Sequence, residues 1–151
     1  MSKRLDERSK QLDELKAYYK SRRLCEAVIR FCKHKDNEEK QDGRHIPKRF
    51  SGIAHMLTDA AVETSTRILI ANEIYVGKDL TQEDRIDAIN KRVTNIKMAI
   101  METYKIENLI RVLDDSWTIA ESTFNNLVCL TIETRTLLAS WARHASGSVS
   151  L

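Results

Sequence analysis

Residues 82–113 read QEDRIDAINKRVTNIKMAIMETYKIENLIRVL, and the spacing inside this stretch decides the fold. Ile86, Ile89, Val93, Ile96 and Ile100 recur at alternating three- and four-residue steps, which places them on one face of an α-helix. The stripe runs on through Tyr104, Ile106, Leu109, Ile110 and Leu113. No glycine or proline interrupts the backbone ladder, so a helix of about 30 residues extends roughly 45 Å. Thr81, with Asp84 three residues on, reads as its N-cap. Asp114-Asp115-Ser116 reads as its break.

The same periodicity lies on both sides of that helix. Upstream, Leu5, Leu12, Leu15, Tyr19, Leu24, Val28 and Phe31 predict a first helix over about 2–35. The polar, aperiodic stretch 36–46 then reads as a mobile loop. Pro47 opens a second helix, where its missing N–H costs nothing. That helix, about 48–76, carries Ile53, Leu57, Ala60, Ala61, Thr64, Ile68, Ala71 and Tyr75, and Gly77 is its stop. Downstream, Thr118 and Glu121 form a capping box before a fourth helix over 119–144, with Ala120, Phe124, Leu127, Thr131, Leu138 and Trp141 on its apolar side. Residues 145–151 read as a disordered tail. Residues 1–144 thus form one domain, and short connections between the last three helices predict an all-α, antiparallel up-down four-helix bundle.

Composition agrees with that class. The chain has 151 residues, one proline and four glycines, enough for one core without disulfide or metal staples. Cys25 and Cys32 lie one heptad apart, about 10 Å along a helix axis and beyond disulfide reach. Cys25, Cys32 and Cys129 read as small core fillers. The longest wholly apolar run, Ile68-Leu69-Ile70-Ala71, is far short of a membrane span. Met1-Ser2-Lys3-Arg4-Leu5-Asp6 has no apolar run after its basic residues, unlike a secretory leader. The expected address is cytoplasmic.

The formal net charge of +3 is unevenly distributed. Residues 1–50 hold 15 Lys+Arg against 9 Asp+Glu, and the remainder 10 against 13. That surplus points to a polyanion partner. Lys16, Lys20, Arg23 and Arg30, at steps of four, three and seven, share one helix face opposite the apolar one. Arg22 and Lys33 lie beside them. Such a row can neutralise phosphates; the alternative is a solvated face supported by Asp13, Glu14 and Glu26. Lys48 and Arg49 stand at a helix start, where free N–H groups also favour anions, and Arg44 joins them in a second cluster. Arg67 and Lys78 are weaker candidates further along.

No metal or cofactor is expected. A di-iron bundle needs paired Glu-x-x-His motifs, and the residues three before His34, His45, His55 and His144 are Phe31, Asp42, Gly52 and Trp141. No phosphate-cradling glycine motif occurs. Arg49 and His55 fit the Arg-x(4–6)-His spacing of HEPN ribonucleases, in which His shuttles a proton and Arg stabilises phosphate charge. Phe50, however, stands where that family prefers a polar residue, and His55 reads as a polar-face residue. Trp117 and Trp141 read as end-of-bundle core plugs, or as groups buried between subunits.

The order of Ile46-Pro47-Lys48-Arg49-Phe50, Ala71-Asn72-Glu73-Ile74-Tyr75, Arg85 and Leu137-Leu138-Ala139-Ser140-Trp141-Ala142-Arg143 resembles a known four-helix-bundle family. The family includes Avd, the accessory proteins of diversity-generating retroelements, and the proteins encoded in intervening sequences of bacterial ribosomal RNA genes. The resemblance covers about residues 12–144, although Ala139-Ser140 stands where the family usually carries a glycine pair. It implies a non-catalytic, homopentameric, nucleic-acid-binding protein. Its implied partners are a reverse transcriptase, the template RNA and possibly the cDNA. The alternatives are a protein-interaction module without a nucleic-acid role and, last, the metal-independent ribonuclease.

Overall fold

In the computed structural model of the chain, the backbone is described for residues 2–41, 48–116 and 119–147, and side chains for 16–35, 51–115 and 119–147. Among these residues there are four helices: α1 Ser2–Gln41, α2 Lys48–Glu73, α3 Gln82–Ser116 and α4 Glu121–Gly147. Each packs against two neighbours in the cyclic order α1, α2, α3, α4. Neighbours run antiparallel, because contacts that climb one helix descend the next. Ser21 meets Ser65 and Cys25 meets Ala61. Arg67 reaches Asn95 while Arg92 reaches Ala71. Arg135 reaches Thr103, and Arg111 lies over Phe124. The all-α four-helix bundle is the observed architecture.

The buried positions follow a heptad more strictly than the apolar residues alone suggest. Residues 17, 21, 24, 28 and 31 of α1 are buried, and so are 57, 61, 64, 68 and 71 of α2. The same three-four alternation holds for 96, 99, 103, 106, 110 and 113 of α3 and for 127, 131, 134, 138 and 141 of α4. A 3.5-residue repeat is what antiparallel helices crossing at about 20° require. The buried apolar side chains form two clusters, one around Leu24, Leu57, Ile110 and Leu127 and one around Ala17, Ile68, Ile96 and Trp141.

Between the clusters lies a waist of buried hydroxyls from all four helices: Ser21, Thr64, Ser65, Thr103, Thr131 and Thr134. Burying an unpaired hydroxyl is costly; Ser65 is hydrogen-bonded to Ser21 across the α1–α2 seam at 3.4 Å, and the other five donate within their own helices. Thr64 donates to the Ala60 carbonyl at 2.8 Å, Thr131 to Leu127 at 2.7 Å and Thr134 to Leu130 at 2.7 Å. Ser21 donates to Tyr18 at 2.7 Å, and Thr103 to Ile100 at 2.6 Å.

Several expectations are corrected. Tyr19, Tyr75 and Tyr104 are 62%, 63% and 57% exposed rather than in the core, because Ala17, Ser21 and Thr103 hold the heptad positions beside Tyr19 and Tyr104. Ala120 is also exposed. The first helix does not stop at 35. It continues to Gln41 through Glu38, Glu39, Lys40 and Gln41, all good helix formers, before Gly43 is reached. α2 ends at Glu73, three residues early. There Arg92 of α3 takes over its last carbonyls, donating to Ala71 at 3.1 Å and Ile74 at 2.6 Å. Tyr75 then folds over Gly77 and donates to Asp79, so any side chain at Gly77 would collide with the tyrosine ring. α3 includes Ser116 and α4 reaches Gly147, past both expected ends.

The N-cap at Thr81 is present: its hydroxyl accepts from the Asp84 amide at 3.2 Å. The Thr118 cap, Trp117, Pro47 and the last four residues lie outside the described ones, as do the side chains of Leu5, Leu12 and Leu15. Trp141 is 2% exposed within the single chain, so it is a core plug. No helix among the described residues is long and apolar enough to cross a membrane.

Candidate nucleic-acid interface

The basic face of α1 is built by the same heptad that fills the core. With 17, 21, 24, 28 and 31 turned inward, residues 19, 23, 26, 30 and 33 form a second three-four stripe about half a turn away. All five are exposed. From 16 to 35 the helix carries seven Lys or Arg and one acidic residue, Glu26. No other helix carries such an excess over its described side chains.

The individual cations divide sharply. Lys16, Arg23, Arg30 and Lys33 are exposed, and among the described residues none has a carboxylate within ion-pair distance. Their charge is free to meet an anion. Lys20 is different. It reaches across to α4 and pairs with Glu133 at 2.6 Å, with only 26% of its side chain exposed, so it belongs to the α1–α4 seam. The sequence cannot reveal this pairing, since the two residues are 113 positions apart. Arg22 turns toward the other edge of the face. Its guanidinium lies 5.8 Å from the centre of the Tyr18 ring and donates to the Tyr18 hydroxyl at 3.3 Å.

Two aromatic residues belong to this face and were not among the expected site residues. Tyr18 is half-buried and packs against the second core cluster. Tyr19 stands 62% exposed, its ring centre 5.8 Å from that of Tyr18 at an interplanar angle of 61°. Tyr18, Tyr19, Arg22, Arg23 and Glu26 line an open depression of about 470 Å³. Adjacent tyrosines followed at three and four residues by adjacent arginines is the signal that could have found it.

The second cluster is only partly described. α2 opens at Lys48, so Lys48 and Arg49 lie in its first turn, as expected. Their side chains, and the whole of Arg44, lie outside the described residues. Arg67 pairs with Glu63 at 2.8 Å and donates to Asn95 at 3.2 Å. It is engaged in holding α2 to α3. Arg135 is more tightly held still, donating to Thr103 Oγ1 and Glu107, with its guanidinium 3.8 Å from the centre of the Tyr104 ring.

His55 is exposed on α2. Cys25 and Cys32 are half-buried at the α1–α2 seam, and burial pushes both thiols up from the ordinary thiol range. Cys129 is exposed on α4, not a core filler, because it lies two residues beyond buried Leu127 on the opposite side of the helix. Among the described residues no group of three or more His, Cys, Asp or Glu is placed to hold a metal ion. The chain matches no family model, no curated protein and no solved structure.

Proposed function

We propose that this protein is a non-catalytic nucleic-acid-binding accessory protein, and that its α1 outer face is the binding surface. The observation that carries the reading is the set of four exposed cations, Lys16, Arg23, Arg30 and Lys33, on one side of one helix, none of them ion-paired among the described residues. Arg23 and Arg30 are one heptad apart, about 10 Å along the axis. Such a row can meet phosphates along a strand and release their counterions. A purely structural helix face gains little from this pattern, because Arg30 and Lys33 are like charges three residues apart and Glu26 is the one acidic residue between 16 and 35.

The resemblance supplies the finer reading. It makes the partner a reverse transcriptase of a diversity-generating retroelement, the nucleic acid its template RNA and cDNA, and the assembly a homopentamer in the cytoplasm. The test is the mass of the native protein in solution, alone and with a structured RNA, with the reverse transcriptase added last. A multiple of the chain mass that shifts with RNA and again with polymerase is the expected result. A species indifferent to RNA would leave a protein-interaction bundle.

A further inference from the structure

Tyr19 is the feature of the α1 face that phosphate binding leaves unused. A large aromatic ring stands mostly in water, on the one helix whose outer face is basic among the described residues. Among the described residues its hydroxyl has no hydrogen-bond partner. The ring is nevertheless held: Tyr18, itself anchored in the core and engaged by Arg22, props it edge-on. On either side along the helix are Lys16 and Arg23, both exposed.

We infer that Tyr19 is a stacking platform for an unpaired nucleobase, so that the ligand of this face is single-stranded nucleic acid rather than duplex. The inference rests on the function proposed above and narrows it. A duplex offers phosphates to Arg23 and Arg30 but keeps its base faces covered. A single strand offers both, and aromatic rings beside a basic track are how proteins hold unpaired bases without reading their sequence. Glu26 fits the same assignment. A carboxylate repels phosphate, yet it sits on the depression that Tyr19, Arg22 and Arg23 line. Its role there is to accept from the amino group of a base stacked on Tyr19, as carboxylates accept from cytosine, which adds to the stacking a preference for amino-bearing bases over uracil and thymine. One base would lie on Tyr19 with its flanking phosphates toward Lys16 and Arg23.

The test is equilibrium binding of a mixed-sequence single-stranded RNA, the matching single-stranded DNA, a duplex of the same length, and the single-stranded DNA with abasic residues. Each is titrated into wild type, Tyr19→Phe, Tyr19→Ala, and Arg23→Glu with Arg30→Glu. Both intact single strands are expected to bind wild type more tightly than the duplex. The abasic strand and Tyr19→Ala are each expected to lose at least about 5- to 150-fold, the range of one stacked base, and more where one strand spans several subunits, with the salt slope unchanged. Tyr19→Phe keeps the ring and is expected to bind as wild type. Duplex bound as tightly as single strand, or an abasic strand bound as tightly as an intact one, would overturn the stacking assignment. If the double charge reversal still abolished binding in that case, the phosphate-binding face would stand. No binding of any strand to wild type at low salt would remove both. The abasic strand gives its answer on wild-type protein, whatever the variants do to folding.

Discussion

Thr103 and Thr131 are both fully buried at the waist of the bundle, and replacing each by valine removes the same hydroxyl from the same depth. The costs are nevertheless expected to differ. The Thr131 hydroxyl bonds only to the Leu127 carbonyl of its own helix, which as a helix-interior carbonyl also receives its intrahelical amide. Valine there leaves nothing orphaned, and the change is expected within about 1 kcal/mol of zero. The Thr103 hydroxyl donates to Ile100 and also accepts from Arg135 Nε at 3.0 Å. Arg135 has only 16% of its side chain exposed, so water cannot readily replace that acceptor. Loss of a hydrogen bond to a charged donor is worth about 1.5–3 kcal/mol. For a domain of this size that lowers Tm by roughly 3–12 °C. The assay is urea unfolding followed by circular dichroism, with an unchanged slope required for a like-for-like comparison. Equal costs at the two positions would refute the view that Arg135 uses Thr103 to tie α4 to α3. So would an Arg135→Met background in which Thr103→Val costs as much as in wild type.

Leu57→Ala and Ile96→Ala sit in the two separate core clusters, and each is expected to cost about 2–5 kcal/mol in the same unfolding assay; less than about 1 kcal/mol at both would mean the buried faces are misassigned. Cys129 is expected to be alkylated first and the half-buried Cys25 and Cys32 more slowly, in a mass-resolved time course. Because burial raises those two thiols in the folded state only, the native protein holds their protons more tightly. That contribution to stability is present below the free-thiol range and is lost as pH rises through the folded values, so unfolding is expected to become easier at strongly alkaline pH. RNA incubated with wild type and with His55→Ala is expected to stay equally intact; cleavage that vanished in both His55→Ala and Arg49→Ala would promote the ribonuclease reading.

The sequence carries the bundle legibly, because an apolar period is a direct consequence of helix geometry. It carries the core less completely where the heptad positions are filled by Ala17, Ser21, Thr64 and Thr103, which hydropathy does not mark as buried. Tyrosine misleads for the complementary reason: a large ring with a polar tip satisfies an apolar pattern from either side of a helix, and so Tyr19 reads as core when it is surface. The loss of the second helix end to Arg92, and of Lys20 to Glu133, depends on which helices become neighbours, a tertiary fact without a local signal. Lys16, Arg23 and Arg30 were legible because they lie opposite the stripe that had to be buried.

The most direct test of the proposed binding face is RNA affinity as a function of salt for wild type, for Arg23→Glu with Arg30→Glu, and for the control Glu121→Lys on α4. Each phosphate contact contributes about 0.7 to 0.9 to the slope of log affinity against log salt. Both arginines are exposed and unpaired among the described residues, so the double variant is expected to fold as wild type, judged by its circular dichroism and unfolding midpoint. In the proposed ring of identical subunits the loss would repeat at every copy, and binding is expected to be abolished, while Glu121→Lys binds at least as tightly as wild type. A folded double variant with wild-type affinity and slope would show that this face is merely solvated.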